Sequence, residues 1–160
     1  MIRRAKNTDI DRLNELLYLV QKLHADKRPD IFKLGAKKYT TEELQAIIAD
    51  DNTPIFVYED EGVVRGYAFC IYQMTRENHQ LHPRKVLYID DLCVDESCRR
   101  KGVATKLYEY VVQTAIDNGC DSVTLNVWNG NDSARRFYER MGMTPLKTTM
   151  EQKLHEATNG

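Results

Sequence analysis

Three cations stand in a row at Arg99, Arg100 and Lys101, and Gly102 follows them at the head of "VATKLYEYVVQTAID". Ahead of them runs "VLYIDDLCV", β-branched and aromatic apart from the acid pair Asp90–Asp91. A strand, a turn and an amphipathic helix in that order leave the first helical N–H groups unpaired at the positive end of the macrodipole. Gly102 allows close backbone approach. With the added charge, the run Arg99, Arg100, Lys101, Gly102, Val103, Ala104, Thr105 has the parts of a phosphate or pyrophosphate cradle. The nucleotide-binding pattern G-x-x-x-x-G-K-[ST] is absent. A solvated basic turn would use the same three cations, so the neighbours have to decide.

An acid pair inside an apolar strand is costly unless it is partnered or opens on a cleft. Strand alternation sends the two to opposite faces, so at most one of them is expected to serve a site, while the other could be a structural partner for a nearby Arg or Lys. Downstream, Phe137 and Tyr138 are adjacent on a short helical segment and cannot share one face. One of the two is therefore expected to have a task other than core packing, and Tyr138 is the candidate. Asn131 sits where a helix N-cap belongs. Cys98 beside Arg99 invites a covalent intermediate, but no His lies near it in sequence to act as its base. His24, Arg28 and Phe32 in "HADKRPDIFK", and Trp128, could line a pocket or simply pack.

The elements that must position these residues follow from the rest of the chain. At 160 residues, one domain over 1–160 is expected, with length enough for a proper core. There are 23 Lys and Arg against 24 Asp and Glu. That balance argues against nucleic acid or a membrane surface as partner. The N-terminus carries no long apolar stretch of a leader, and no apolar run reaches spanning length. The four cysteines, Cys70, Cys93, Cys98 and Cys120, form no C-x-x-C pair, so reduced thiols and a cytoplasmic location are expected. His79 and His82 have no companions at a ligand spacing, so no metal is expected.

"IRRA" reads as an opening strand, and Thr8 with Asp11 as a capping box for a helix with apolar positions Ile10, Leu13, Leu17, Val20 and Leu23. "KRPDIFKLGAKKY" is a loop, and Thr40 with Glu43 caps a second helix. "PIFVYED" and "VVRGYAFCIY" form a hairpin about Glu61–Gly62. "VLYIDDLCV", the helix ending at Gly119, "SVTLNVW", the helix from Asn131 to Gly142 and "MTPLKTTMEQKL", a closing strand or hairpin limb, complete the order β-α-α-β-β-β-α-β-α-β.

With that order in place, Arg99-x-x-Gly102-x-Ala104 resembles the R/Q-x-x-G-x-G/A signature of the GNAT N-acetyltransferase superfamily. "NGNDSARRFYERMGM" is similar to that family's second motif, matched at Asn131, Ala134, Phe137, Tyr138, Gly142 and Met143. The resemblance implies an α/β (α+β) fold, with a mixed, mostly antiparallel central sheet flanked by helices. It also implies transfer of an acetyl group from acetyl-CoA, as co-substrate, to a primary amine by direct attack in a ternary complex. Cofactor contacts are implied at Leu92, Cys93 and Val94 on the strand backbone, at the cradle, and at Asn131 and Ser133. Asp90 falls where several small-amine acetyltransferases of the family carry Glu, which favours it over Asp91 as base. Tyr138 matches the family's proton donor to the departing thiolate. The acceptor, a small-molecule amine or a peptide, is left open. A non-catalytic acyl-CoA-binding sensor is the alternative. The family includes homodimers, and no residue pattern here marks such an interface.

Overall fold

In the computed structural model, which describes residues 1–155, the chain divides into two compact units, Met1–Asn126 and Val127–Gly160. The first holds five strands and three helices. They are β1 (Ile2–Arg4), α1 (Ile10–Lys27), α2 (Thr41–Ala49), β2 (Ile55–Asp60), β3 (Val63–Thr75), β4 (Arg84–Val94), α3 (Val103–Asp117) and β5 (Ser122–Leu125). The strands lie in sequence order, antiparallel from β1 to β4, with β5 parallel to β4. This is the mixed, mostly antiparallel sheet expected from the sequence.

The hydrophobic pattern explains which helix covers which face. Ile55, Val57, Val64, Tyr67 and Phe69 alternate along β2 and β3, and pack with Ile10, Leu13, Leu16 and Leu17 of α1 and Leu44 of α2. The opposite face carries Phe56, edge-on to Tyr110 of α3 at 5.1 Å. There Leu92 and Val94 of β4 meet Val103 and Leu107 of α3. Gly66 allows this contact, because a Cβ there would stand 3.0 Å from the Cys93 carbonyl and 3.1 Å from Leu107 Cδ1. A side chain at 66 would press on the β4 backbone and on Leu107 of α3.

Helix entries differ in detail from expectation. Thr40 accepts from the Glu43 N–H, and the Glu43 carboxylate from the Thr40 N–H, both at 3.1 Å, the reciprocal cap read from sequence. Thr8 and Asp11 do not cap α1. Asp9 accepts from the Lys6 N–H at 2.8 Å and is clamped by both Arg3 Nη atoms, so a 3-10 turn, Asn7–Asp9, precedes the helix. Leu23 was expected on the buried stripe of α1 but stands 55% exposed, while Leu16 is buried.

In the second unit, α4 (Asp132–Arg140) starts at Asn131, whose side chain accepts from the Ala134 N–H at 3.3 Å. It ends before Gly142, whose φ of +100° is left-handed. The closing strand expected from "MTPLKTTMEQKL" is not formed, and no described residue after α4 lies in a helix or strand. The sequence accounts for this. Leu146, Met150 and Leu154 recur every fourth residue rather than every second, Pro145 cannot donate to a ladder, and all three apolar side chains are exposed.

Candidate active site

The site begins with an irregularity in β4. Phe69 pairs with Asp91 and the next residue, Cys70, pairs with Ile89, so Asp90 is an extra residue bulged out of the ladder. On its other edge, the register of β4 with β5 ends at Ile89–Leu125. From Asp90 onward, β4 runs past the last paired residue of β5. Two adjacent carboxylates are tolerated here because the strand is released at this point.

The bulge also changes which way the acids face. Leu92 and Val94 pack toward α3 and Cys93 toward the α1 side, so plain alternation would turn Asp90 toward α3. Instead, Asp90 Oδ2 lies 3.6 Å from Nζ of Lys38, on the loop between α1 and α2. Asp91 accepts a hydrogen bond from the Tyr67 hydroxyl at 2.7 Å. The opposite faces expected from alternation are thus corrected by the extra residue, and the charge of Lys38 acts on both acids.

The two acids have different surroundings. Burial pushes the Asp91 carboxyl above its usual range, against the opposing pull of the Tyr67 hydroxyl and Lys38. Burial likewise raises the Tyr67 phenol well above its ordinary value, with Asp91 adding to it. Burial would lower the Lys38 ammonium, but Asp91, Tyr39 and Asp90 outweigh it and hold the cation. Its Nζ also lies 5.4 Å from the Tyr39 ring centroid. Nearby, His24 stacks on Phe32 at 4.8 Å, and burial lowers its pKa. Arg28 instead pairs with Asp30 through two hydrogen bonds. Asn126, just past β5, donates to the Tyr88 hydroxyl at 3.2 Å.

The turn that carries Arg99 to Thr105 follows β4 directly. Asp95 accepts from the Ser97 N–H and is gripped by Arg12 Nη2 at 2.6 Å. Arg12 Nε donates to the Val64 carbonyl at 2.9 Å. These bonds tie the turn to α1 and β3. Burial acts to raise the Asp95 carboxyl, but the Ser97 amide and Arg12 outweigh it and hold it low. Beyond the 3-10 turn Glu96–Cys98, the backbone is left-handed at Arg100, with φ 70°, and at Gly102, with φ 75°. A non-glycine residue in that region costs about 1–2 kcal/mol. A Cβ on Gly102 would meet nothing within 4 Å, so its backbone rather than crowding calls for glycine. Gly102 is the N-cap of α3 and no side chain caps the helix. The N–H groups of Val103, Ala104 and Thr105 are therefore first-turn donors without a capping side chain. Arg99 is partly engaged, 3.7 Å from Glu96 in an exposed pair, whereas Arg100 and Lys101 stand exposed.

The structure thus brings Asp90, Leu92, Cys93, Val94 and the stretch from Arg99 to Thr105 together in the first unit. Asn131, Ser133 and Tyr138 lie in the second. The Ser133 hydroxyl donates to Asn131 Oδ1 at 3.3 Å, and the half-buried Tyr138 ring meets Phe137 edge-on at 5.1 Å. Trp128 is 46% exposed and outside β5 rather than at a strand end in the core. Cys98 is buried against α3, out of reach of a substrate, and burial pushes the Cys93 thiol up to about 11, away from the low-pKa setting of a nucleophile. Sequence reasoning missed Lys38, Tyr67, Arg12 and Asp95. Only the acid at Asp95, directly before the turn, gave a signal that could have been read as an anchor.

A sheet whose fourth strand bulges where its parallel neighbour ends, followed by a basic, uncapped helix mouth, sets an acid pair beside a turn with the parts of an anion site. The class of protein follows from the comparisons. The Acetyltransferase (GNAT) family matches residues 18–143, and the chain belongs to that family. A 5-NmdU N-acetyltransferase of Pseudomonas phage PaMx11 is 28% identical over 134 residues, covering 80% of this chain and 88% of that protein. The thialysine N-epsilon-acetyltransferase of Bos taurus is 24% identical over 152 residues, covering 91% and 85%. Among solved structures, a mutant of the BH1408 protein from Bacillus halodurans superposes with a TM-score of 0.93 at 29% identity, covering 97% of this chain and 99% of that one. The protein is an acetyl-transferring enzyme of the GNAT type. Among the described residues, no helix is long and apolar enough to cross a membrane.

Proposed function

We propose that this chain transfers the acetyl group of acetyl-CoA to a primary amine by direct attack, with Asp90 as the base and the Arg99–Thr105 turn as the pyrophosphate cradle. The single observation that carries this reading is the bulge. It places a partly exposed carboxylate on a strand edge that has passed its last partner in β5, one short turn before an uncapped helix N-terminus. In the reading, the pantetheine arm lies along the backbone of Leu92, Cys93 and Val94 as an added strand. A backbone N–H there meets the charge that develops on the thioester oxygen. Lying among apolar side chains on both faces, these three residues contribute backbone groups to the co-substrate rather than side-chain chemistry.

The acceptor arrives as an ammonium ion, and the paired negative charges of Asp90 and Asp91 attract it. Asp90 takes its proton, directly or through a water, since Asp is a short side chain. Asp91 is held by Tyr67 and works as a fixed neighbouring charge. Tyr138 protonates the departing thiolate, and Asn131 and Ser133 contact the cofactor arm from the start of α4. Because the family match runs from residue 18 to 143, across the boundary between the two units, we read 1–160 as one catalytic domain; its four free cysteines favour a reducing, cytoplasmic location.

The acid pair favours a cationic amine as acceptor, and a small-molecule amine fits a site presenting two carboxylates and the ring of Tyr39. Thiol release from acetyl-CoA, followed over a panel of monoamines, diamines and amino-terminal peptides, tests this. Turnover on amines carrying a second positive charge is expected. Binding of acetyl-CoA without turnover on any amine would instead favour a sensor.

A further inference from the structure

Lys38 already holds the position that the acceptor ammonium is expected to take. Its Nζ is 3.6 Å from Asp90 Oδ2, it feels the charge of Asp91, and it leans on the Tyr39 ring. It is carried on the loop between α1 and α2, outside every helix and strand, and its side chain remains 34% exposed. An alkyl amine beside the carboxylate that deprotonates amines differs from a bound acceptor only in being tethered, and tethering raises the effective concentration of a reactant.

We propose that Lys38 is a self-acetylation site, modified within its own chain when acetyl-CoA is bound and no other amine occupies the acid pair. This rests on the reading of Asp90 as base given above. In the step, the Lys38 ammonium passes one proton to the Asp90 carboxylate, and its lone pair attacks the thioester carbonyl carbon. A C–N bond forms, the C–S bond breaks, and its electron pair leaves on sulfur. The second nitrogen proton ends on that thiolate, giving a neutral amide, free CoA and a protonated Asp90. The product loses its positive charge, so the ion pair to Asp90 is gone and the acid pair is left without its internal cation.

Lys37, the neighbouring exposed lysine, is the control for chemical acetylation by the thioester in solution. The full chain is incubated with acetyl-CoA alone and the acetyl increment is mapped by peptide mass spectrometry over time. Acetylation at Lys38 at least tenfold faster than at Lys37 is expected, at a rate independent of protein concentration. A diamine acceptor should slow it, and Asp90→Asn should bring it down to the Lys37 rate. The Asp90→Asn protein is checked for an unchanged acetyl-CoA-induced melting shift, so a loss of folding is not mistaken for a loss of chemistry. Lys38 modified no faster than Lys37, or only in proportion to protein concentration, overturns the proposal. If the amine panel turns over in the same preparation, that result sinks self-acetylation alone. If neither external amines nor Lys38 are acetylated, the reading of Asp90 as base falls with it.

Discussion

Substitution of Gly102 separates the backbone of the cradle from its charge. With φ at 75° and no atom within 4 Å of a built Cβ, alanine at 102 meets no clash but must hold a left-handed backbone. That costs about 1–2 kcal/mol. For a chain of this length it lowers the melting temperature by about 2–8 °C. The cost falls on the free and the bound protein alike, so Gly102→Ala should keep most of its acetyl-CoA response. Glutamate pays the same backbone penalty and places a carboxylate at the uncapped helix mouth. A negative charge about 4 Å from a phosphate costs up to about 4 kcal/mol at an effective dielectric of about 20. Taking about 2–4 kcal/mol, binding weakens by roughly 30- to 1000-fold. Acetyl-CoA at a hundred times the wild-type Kd stabilises the wild type by about 2.7 kcal/mol, or roughly 5–10 °C. At the same concentration the glutamate variant should gain less than about 1 kcal/mol. Differential scanning fluorimetry of the three proteins with and without acetyl-CoA makes the comparison. A full wild-type shift in Gly102→Glu would show that the pyrophosphate does not sit on this turn.

Other parts of the structure give sharp expectations. Gly66→Ala drives a Cβ against the Cys93 carbonyl and Leu107, and should cost about 1–3 kcal/mol in urea unfolding; no change would mean α3 yields without strain. Asp9 is held low first by its hydrogen bonds from Arg3, so its contribution to stability is present above the ordinary carboxylate pKa and is lost as pH falls through the lowered native value. Asp9→Asn should therefore lose roughly 3 kcal/mol at pH 7 and show a shallower acid limb than wild type in denaturation midpoints. If the two proteins differ by the same amount at pH 7 and at pH 3, the ion pair is not the cause. Tyr138→Phe should lower kcat about tenfold or more while leaving the acetyl-CoA melting shift intact; equal losses in both would mean that the ring serves binding or packing instead.

The local backbone features of the proposed site were legible in the sequence. The turn before α3 carries a glycine and three cations ahead of an apolar-periodic helix, and its left-handed Gly102 and absent side-chain cap are as that pattern requires. Asn131 caps α4 through its own side chain, also a local matter. What sequence could not show depends on register. Nothing in "YIDDLCV" states that Asp90 is an extra residue, because a bulge is defined by the partner strand. Period-two counting therefore misplaced its side chain. Lys38 escaped notice for a similar reason: it lies 52 residues before Asp90 in a loop with no periodicity, and only the packing of α1 and α2 on the sheet brings it to the acid pair. Tyr67 read as an ordinary strand aromatic, and its hydroxyl partner was invisible. The false closing strand came from composition without period.

Which carboxylate moves the proton decides the mechanism. Steady-state kcat/KM for the best amine of the panel should be measured on wild type, Asp90→Asn and Asp91→Asn, each first shown to give a wild-type acetyl-CoA melting shift. The partly exposed, bulged Asp90 is predicted to be the acid whose loss costs about 100- to 10,000-fold. Asp91→Asn, which keeps an acceptor for the Tyr67 hydroxyl, should cost far less and act mainly on KM. Equal turnover in Asp90→Asn and wild type would contradict the account, and the reverse order of the two variants would move the base to Asp91.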